Sequence, residues 1–196
     1  MADLPDSQLA ARAAAPLVEI IRNIKPDQLD APTPCAEYNV RELLNHLLFW
    51  GPSLEGAGRK EVVPAPAASD TEMDLTGGDW AADLEVQVGR TAEAWSRPTA
   101  WQGTTRVVGP TELPAPMIGG MVVCEMVTHG WDLAQATGQQ PSWDDDLLAF
   151  VHEEVTRTAE QGRQMGAYGP EVPVSASSST LDRALGLMGR DPDWRR

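Results

Sequence analysis

The stretch "VVCEMVTHGWDLAQATGQ" (122–139) places Glu125 and His129 four residues apart. One helical turn therefore brings both side chains to the same face. At about 100° per residue, that face also takes Ile118, Met121, Val122, Leu133 and Ala136. A carboxylate inside an apolar stripe needs a partner, because an ionised Glu buried alone costs several kcal/mol. His46 lies at the edge of a second stripe formed by Leu43, Leu47, Trp50 and Leu54. If the two stripes face each other, His46, Glu125 and His129 meet between helices, as inward-projecting ligands do in metal-binding bundles. One carboxylate and two neutral imidazoles suit Zn²⁺ with an open fourth position, and the same set suits non-haem Fe(II). The spacing also admits a plainer arrangement. Glu125 could pair with Arg41, Arg90 or another base, leaving His129 as a satisfied core histidine.

Other reactive residues divide into neighbours of this group and bystanders. Asp132, on the same face one turn after His129, could orient a histidine ligand or form a buried salt bridge, with Arg41 as a candidate partner. Trp50, one turn after His46, is expected to line the pocket. His152, among Leu148, Val151, Val155 and Ala159, reads as core or pocket lining, with a fourth ligand as the lesser option. Cys124 falls about 100° from Glu125 and reads as a small buried apolar residue. Cys35 precedes a helix start, where thiol pKa values are lowered, so a reactive thiol there is weighed against simple packing under the loop. "SWDDD" (142–146) lacks EF-hand spacing and reads as a capped helix start. Seven scattered tryptophans, with no bases interleaved, read as core and pocket anchors. Arg90 and Arg106 are candidates for binding an anion, and nothing in the sequence selects either.

The elements that must position these groups are helical. A first helix is expected at 6–24, with Asp6 as its N-cap and Leu9, Ala13, Leu17, Ile20, Ile21 and Ile24 inside. A second starts near Asn39, where Asn39 and Glu42 have capping-box spacing, and Pro52 predicts a kink or an early end. A third covers about 79–97, stopping at Pro98. "WQGTTRVVGPTELPA" predicts a short hairpin or extended connection near 101–115. The helix bearing Glu125 and His129 spans about 115–137 and ends at Gly138. A fifth follows at about 143–162, and a short one begins at Leu181. The fold class is all-α, a four-helix bundle with additional short helices, in one domain over 1–196.

Composition removes several classes of function. With 15 Lys+Arg against 29 Asp+Glu, the net charge is −14, and no basic cluster offsets it. Nucleic acid and anionic membrane surfaces are poor partners for such a chain. The acidic start "MADLPDSQLA" has no apolar h-region, and no run reaches the roughly 18 residues of a membrane span. Two distant cysteines fit no CxxC pattern, which favours a reducing, cytoplasmic setting without a disulfide.

"TPCAEYNVRELLNHLL" (33–48) and "EMVTHGWDLAQATGQ" (125–139) resemble DinB-like metal-binding four-helix bundles. More narrowly, they resemble the branch related to the metal-binding domain of mycothiol-dependent maleylpyruvate isomerase. "LDRALGLMGRDPDW" (181–194) is similar to the ending of stand-alone members of that branch. The resemblance implies a divalent ion held by His46, Glu125 and His129, where many DinB-like proteins use three histidines. It also implies a small thiol of the mycothiol type as cosubstrate. The isomerase adds a C-terminal domain that helps to form its active site. This chain has no counterpart, so isomerisation itself is not implied.

The functional expectation is a zinc-dependent thiol transferase, with nickel or iron as alternative metals. A free thiol has a pKa of about 8.5, and coordination would supply the thiolate at neutral pH for attack on an electrophilic substrate. The competing expectations are a non-enzymatic metal-binding bundle, structural or sensing, and a metal-dependent hydrolase. The molecule is expected to act as a monomer or homodimer.

Overall fold

Helical periodicity fixes most of this chain, and the ends of its helices are settled by named side chains. The computed structural model describes residues 6–196. Residues 1–5 and the Asp6 side chain, with the capping role expected of it, lie outside the described residues. Helix α1 (Asp6–Asn23) buries Leu9, Ala13, Leu17, Ile20 and Ile21 along one face. Helix α2 (Val40–Arg59) opens with the expected capping box: Asn39 Oδ1 accepts the Glu42 N–H at 2.9 Å, and Glu42 Oε2 accepts the Asn39 N–H at 2.8 Å. Helix α3 (Trp80–Trp95) is capped by Asp79. Helix α4 (Ala115–Thr137) begins after Pro114, whose missing N–H costs nothing there. It ends at Gly138, whose φ of 73° is the left-handed geometry that a residue without Cβ adopts freely. Asp144 caps α5 (Asp145–Gln164), as the helix-start reading of "SWDDD" required, and Ser179 caps α6 (Thr180–Leu187).

Helices α1 and α2 each pack on both α3 and α4, so the order around the bundle is α1, α3, α2, α4. The arrangement makes α2 and α4 neighbours, which is what the candidate site requires. Helix α5 lies outside this bundle against α4, with α6 packed on it. The core between the layers includes Leu43, Leu44, Leu84, Trp95, Val122 and Leu133, all fully buried. Strands β1 (Thr104–Thr105) and β2 (Leu113–Pro114) pair antiparallel, with Thr104 opposite Pro114, and lead into α4. No helix among the described residues is long and apolar enough to cross a membrane.

Two expectations about elements are corrected. Pro52 does not end α2, which continues to Arg59. The helix is held past the proline by α3: Trp95 Nε1 donates to Leu54 O at 2.9 Å, and Gly51 and Gly58 leave room for Gln87 and Trp95. It stops at Lys60, which adopts a left-handed φ of 63° while its ammonium donates to the carbonyls of Ala100, Gln102 and Thr104. Met121, placed on the apolar stripe of α4, is exposed, although its neighbours Ile118, Gly119, Gly120 and Val122 on the same turn are buried. Short 3-10 turns at Pro26–Gln28, Asp70–Glu72 and Pro98–Trp101 had no counterpart in the sequence reading.

Candidate metal centre

Helices α2 and α4 bring His46, Glu125 and His129 together. One ligand atom from each lies within 4.8 Å of the others. His129 Nε2 is 3.1 Å from Glu125 Oε2, and His46 Nε2 is 3.8 Å from the same oxygen. The two imidazoles meet edge to face, with centroids 5.3 Å apart. Neither base proposed as an alternative partner reaches Glu125. Arg41 faces Asp30 at 3.6 Å, and Arg90 pairs at 3.0 Å with Glu55, a buried carboxylate of α2. Among the described residues, the Glu125 carboxylate therefore has two histidines and no Lys or Arg as ion-pair partners.

Each histidine turns its other nitrogen to an aspartate. His46 Nδ1 is 2.7 Å from Asp70 Oδ2, and His129 Nδ1 is 3.0 Å from Asp132 Oδ2. An ionised carboxylate only accepts, so both Nδ1 atoms carry the proton and both Nε2 atoms face the shared centre. Carboxylates behind histidines fix ring orientation and raise ligand basicity in metal sites. Asp132 makes contacts of both kinds foreseen for it, to a histidine and to an arginine. It holds His129, and its Oδ2 also receives Arg190 Nη2 at 3.2 Å in place of the expected Arg41. Asp132 is fully buried and Arg190 nearly so.

Asp70 and Arg190 were missed by sequence reasoning. Asp70 lies in the connection between α2 and α3, in a 3-10 turn held against α2 by Asn45. Asn45 Nδ2 donates to Asp70 O at 2.7 Å and to Met73 O at 2.9 Å, while its Oδ1 accepts the Leu75 N–H at 2.7 Å. The Tyr38 hydroxyl donates to Asp70 Oδ2 at 3.1 Å, and its ring lies 5.1 Å from that of His46. The one sequence signal for this loop was "NH" at 45–46, an amide beside a candidate ligand.

The electrostatics follow from this arrangement. Burial would lower the basicity of His129, but the charges and hydrogen bonds of Glu125 and Asp132 outweigh it and push its pKa up to about 9 in the metal-free protein. Burial likewise opposes ionisation of Glu125, and the two histidines overcome it, holding the carboxyl far below the usual range. Asp70 is also held low, because hydrogen bonds from His46 and Tyr38 override its burial. Burial raises the Tyr38 phenol, with the Asp70 charge adding to it.

The remaining candidates stand apart from the centre. Trp50 is half-buried edge-on against Phe49, with centroids 4.9 Å apart, and is not among the residues lining the cavities at Glu125. His152 is half-buried on α5, its pKa lowered by burial and by Arg183, and it does not join the ligand cluster. Both cysteines are free. Cys124 is buried as expected, and burial raises its thiol pKa. Burial also raises the Cys35 thiol, the opposite of the activation that a helix start would give. Arg106 is engaged by Glu112 at 2.5 Å.

The donor set fits a divalent ion. Two imidazole nitrogens and one carboxylate oxygen converge, no Lys or Arg among the described residues pairs with that carboxylate, and the aspartates at both Nδ1 atoms leave both Nε2 atoms facing the centre. A helical bundle carrying such a group on adjacent helices belongs to a recognisable class. The chain is a member of the family of the mycothiol maleylpyruvate isomerase N-terminal domain, which matches residues 10–134. It is similar to two curated Mycobacterium tuberculosis proteins, "Uncharacterized protein MT0763" (strain CDC 1551 / Oshkosh) and "Uncharacterized protein Rv0738" (strain ATCC 25618 / H37Rv). Each is 29% identical over 184 residues, covering 91% of this chain and 94% of the relative. No solved structure matches the chain significantly.

Proposed function

We propose that this protein binds a divalent metal, zinc in the first instance, through His46, Glu125 and His129, and uses it to activate a small thiol of the mycothiol type for attack on an electrophile. The observation that carries this reading is the convergence of three ligands, with no fourth side chain in the same cluster among the described residues. A structural zinc site closes its shell with four protein ligands, whereas a catalytic one keeps a position free. That contrast favours a reactive site over a purely structural one. The family name supplies the thiol. Bound metal would lower the thiol pKa from its free value of about 8.5 and so provide thiolate at neutral pH.

The protein's own groups supply orientation and charge. Asp70 and Asp132 keep the rings in the ligating tautomer, and Arg190 holds Asp132. Glu125, with 32% of its side chain exposed against 9% for His129, marks the side from which small molecules reach the centre. In the reaction the thiol loses its S–H proton and an S–C bond forms. The C–O bond at that carbon breaks, its electron pair settles on oxygen, and oxygen takes one proton from water, which receives the proton released by the thiol. An epoxide satisfies this balance.

Metal analysis after zinc reconstitution tests the first half. One equivalent is expected in wild type and a large loss in His46→Ala and Glu125→Ala; equal, low metal in all three sinks the site. The second half is tested by incubating zinc-loaded protein with mycothiol and 1,2-epoxybutane and measuring thioether by mass spectrometry. A rate that survives chelation and His46→Ala rejects metal-activated thiol transfer.

A further inference from the structure

On the outer side of α4, a groove of about 150 Å³ runs between this helix and the region around residues 161–168, and Glu125 is among its lining residues. Leu113, Met117 and Met121 line one wall; Met165 and Tyr168 line the other, with Cys124 also contributing. Two glycines shape it. A Cβ on Gly162 would meet the Tyr168 ring at 2.4 Å, so that ring lies directly on α5. A Cβ on Gly120 would meet Glu154 Oε2 at 2.5 Å, so Glu154 sits close against α4. Met121 and Met165 are among the exposed large apolar side chains of the described residues.

We propose that this groove receives an uncharged, apolar arm of the electrophilic substrate, about the size of a benzene ring, with the reacting end directed toward Glu125. The word substrate rests on the function proposed above; the binding of a neutral apolar group does not. Three observations select this occupant. Apart from Glu125, which belongs to the candidate metal centre, the charged lining residue is Glu154, and among the described residues no Lys or Arg lines the groove, so a carboxylate or phosphate arm would find no basic partner along its walls. Glu154 already has Arg157 as its ion-pair partner, which leaves the walls mainly apolar. The volume matches that of dry apolar cavities known to take benzene and falls below the roughly 300 Å³ of a whole drug-sized ligand, so it accommodates an arm and not an entire molecule. Methionine side chains adapt their shape, which suits a family of related arms. A second copy of the chain is a poorer occupant, since each copy carries a net −14.

The test uses the full chain labelled with ¹³C at the methionine methyls, titrated without zinc with benzyl alcohol and, separately, with benzoate. Benzyl alcohol is expected to shift the Met117, Met121 and Met165 methyls saturably, leaving Met73 and Met126 in place, while benzoate shifts none of them. Met121→Lys should weaken benzyl alcohol binding at least fivefold and leave zinc retention unchanged. Equal shifts with benzoate, shifts spread over all methionines, or groove shifts that track protein concentration as in self-association would each overturn the proposal. A failed metal site would appear separately, as zinc retention indifferent to His46→Ala.

Discussion

At the scale of single residues, the two aspartates behind the histidines carry as much of the design as the three candidate ligands. Asp132 Oδ2 accepts from both His129 and Arg190, with no exposure to solvent. Asp132→Asn keeps the shape but removes the charge, and is expected to weaken zinc binding about 10- to 100-fold in a competitive chelator titration. A loss below threefold would mean that Asp132 serves folding alone. Arg190→Met leaves a buried carboxylate facing only a histidine, and should cost about 3–5 kcal/mol in urea unfolding of the metal-free protein, with partial recovery in Arg190→Lys. The convergence of Glu125 and His129 was legible in the sequence because they are one turn apart on a single helix. Arg190 is 58 residues from Asp132, and Asp70 is 24 from His46 across an irregular connection. No local periodicity encodes either pair. Arg41 was the natural guess for Asp132 because it lies near His46 in sequence, yet Asp30 and Thr76 already engage it.

At the scale of elements, the decisive piece is the connection from Lys60 to Asp79. It has no regular pattern beyond one 3-10 turn, yet it delivers Asp70 to His46. Asn45 is the clamp, with three hydrogen bonds to the backbone of residues 70–75. Asn45→Ala leaves part-buried carbonyls unpaired and is expected to cost about 1–3 kcal/mol. More specifically, it should accelerate amide hydrogen exchange at 69–75 and lower zinc affinity, whereas Tyr38→Phe removes only one bond to Asp70 and should change exchange there far less. Equal protection of this segment in Asn45→Ala and wild type would show that something else pins the loop. Helix limits set by local chemistry were readable in advance: the capping box at Asn39, the glycine after α4, the capped start of α5 in "SWDDD". The end of α2 was not, because it depends on Lys60 reaching carbonyls 40 to 44 residues downstream and on α3 bracing the turn after Pro52.

At the scale of the whole molecule, the proposed metal and a proton would compete for one centre, and that competition would set how stability varies with pH. In the metal-free protein the His129 pKa rises from 6.5 to about 9. A raised pKa means that the folded state holds the proton more tightly than the unfolded chain. This residue's stabilising contribution is therefore complete below about pH 6.5 and disappears as pH climbs through 9. Zinc requires the same imidazole neutral, so each ion bound below pH 9 expels that proton, and apparent affinity should fall up to tenfold per pH unit as pH drops. Since binding to the folded state stabilises by RT ln(1 + [L]/Kd), zinc at 100 times Kd adds about 2.7 kcal/mol, or several degrees in Tm for a chain of this length. Melting curves between pH 6 and 9 should then show zinc-induced stabilisation growing with pH while the His129 contribution to the metal-free fold declines. His129→Gln, which cannot be protonated, should flatten the pH dependence of the zinc-free curve over this interval and abolish most of the zinc shift. If zinc raises Tm equally at pH 6 and pH 9 in wild type, His129 is not among its ligands.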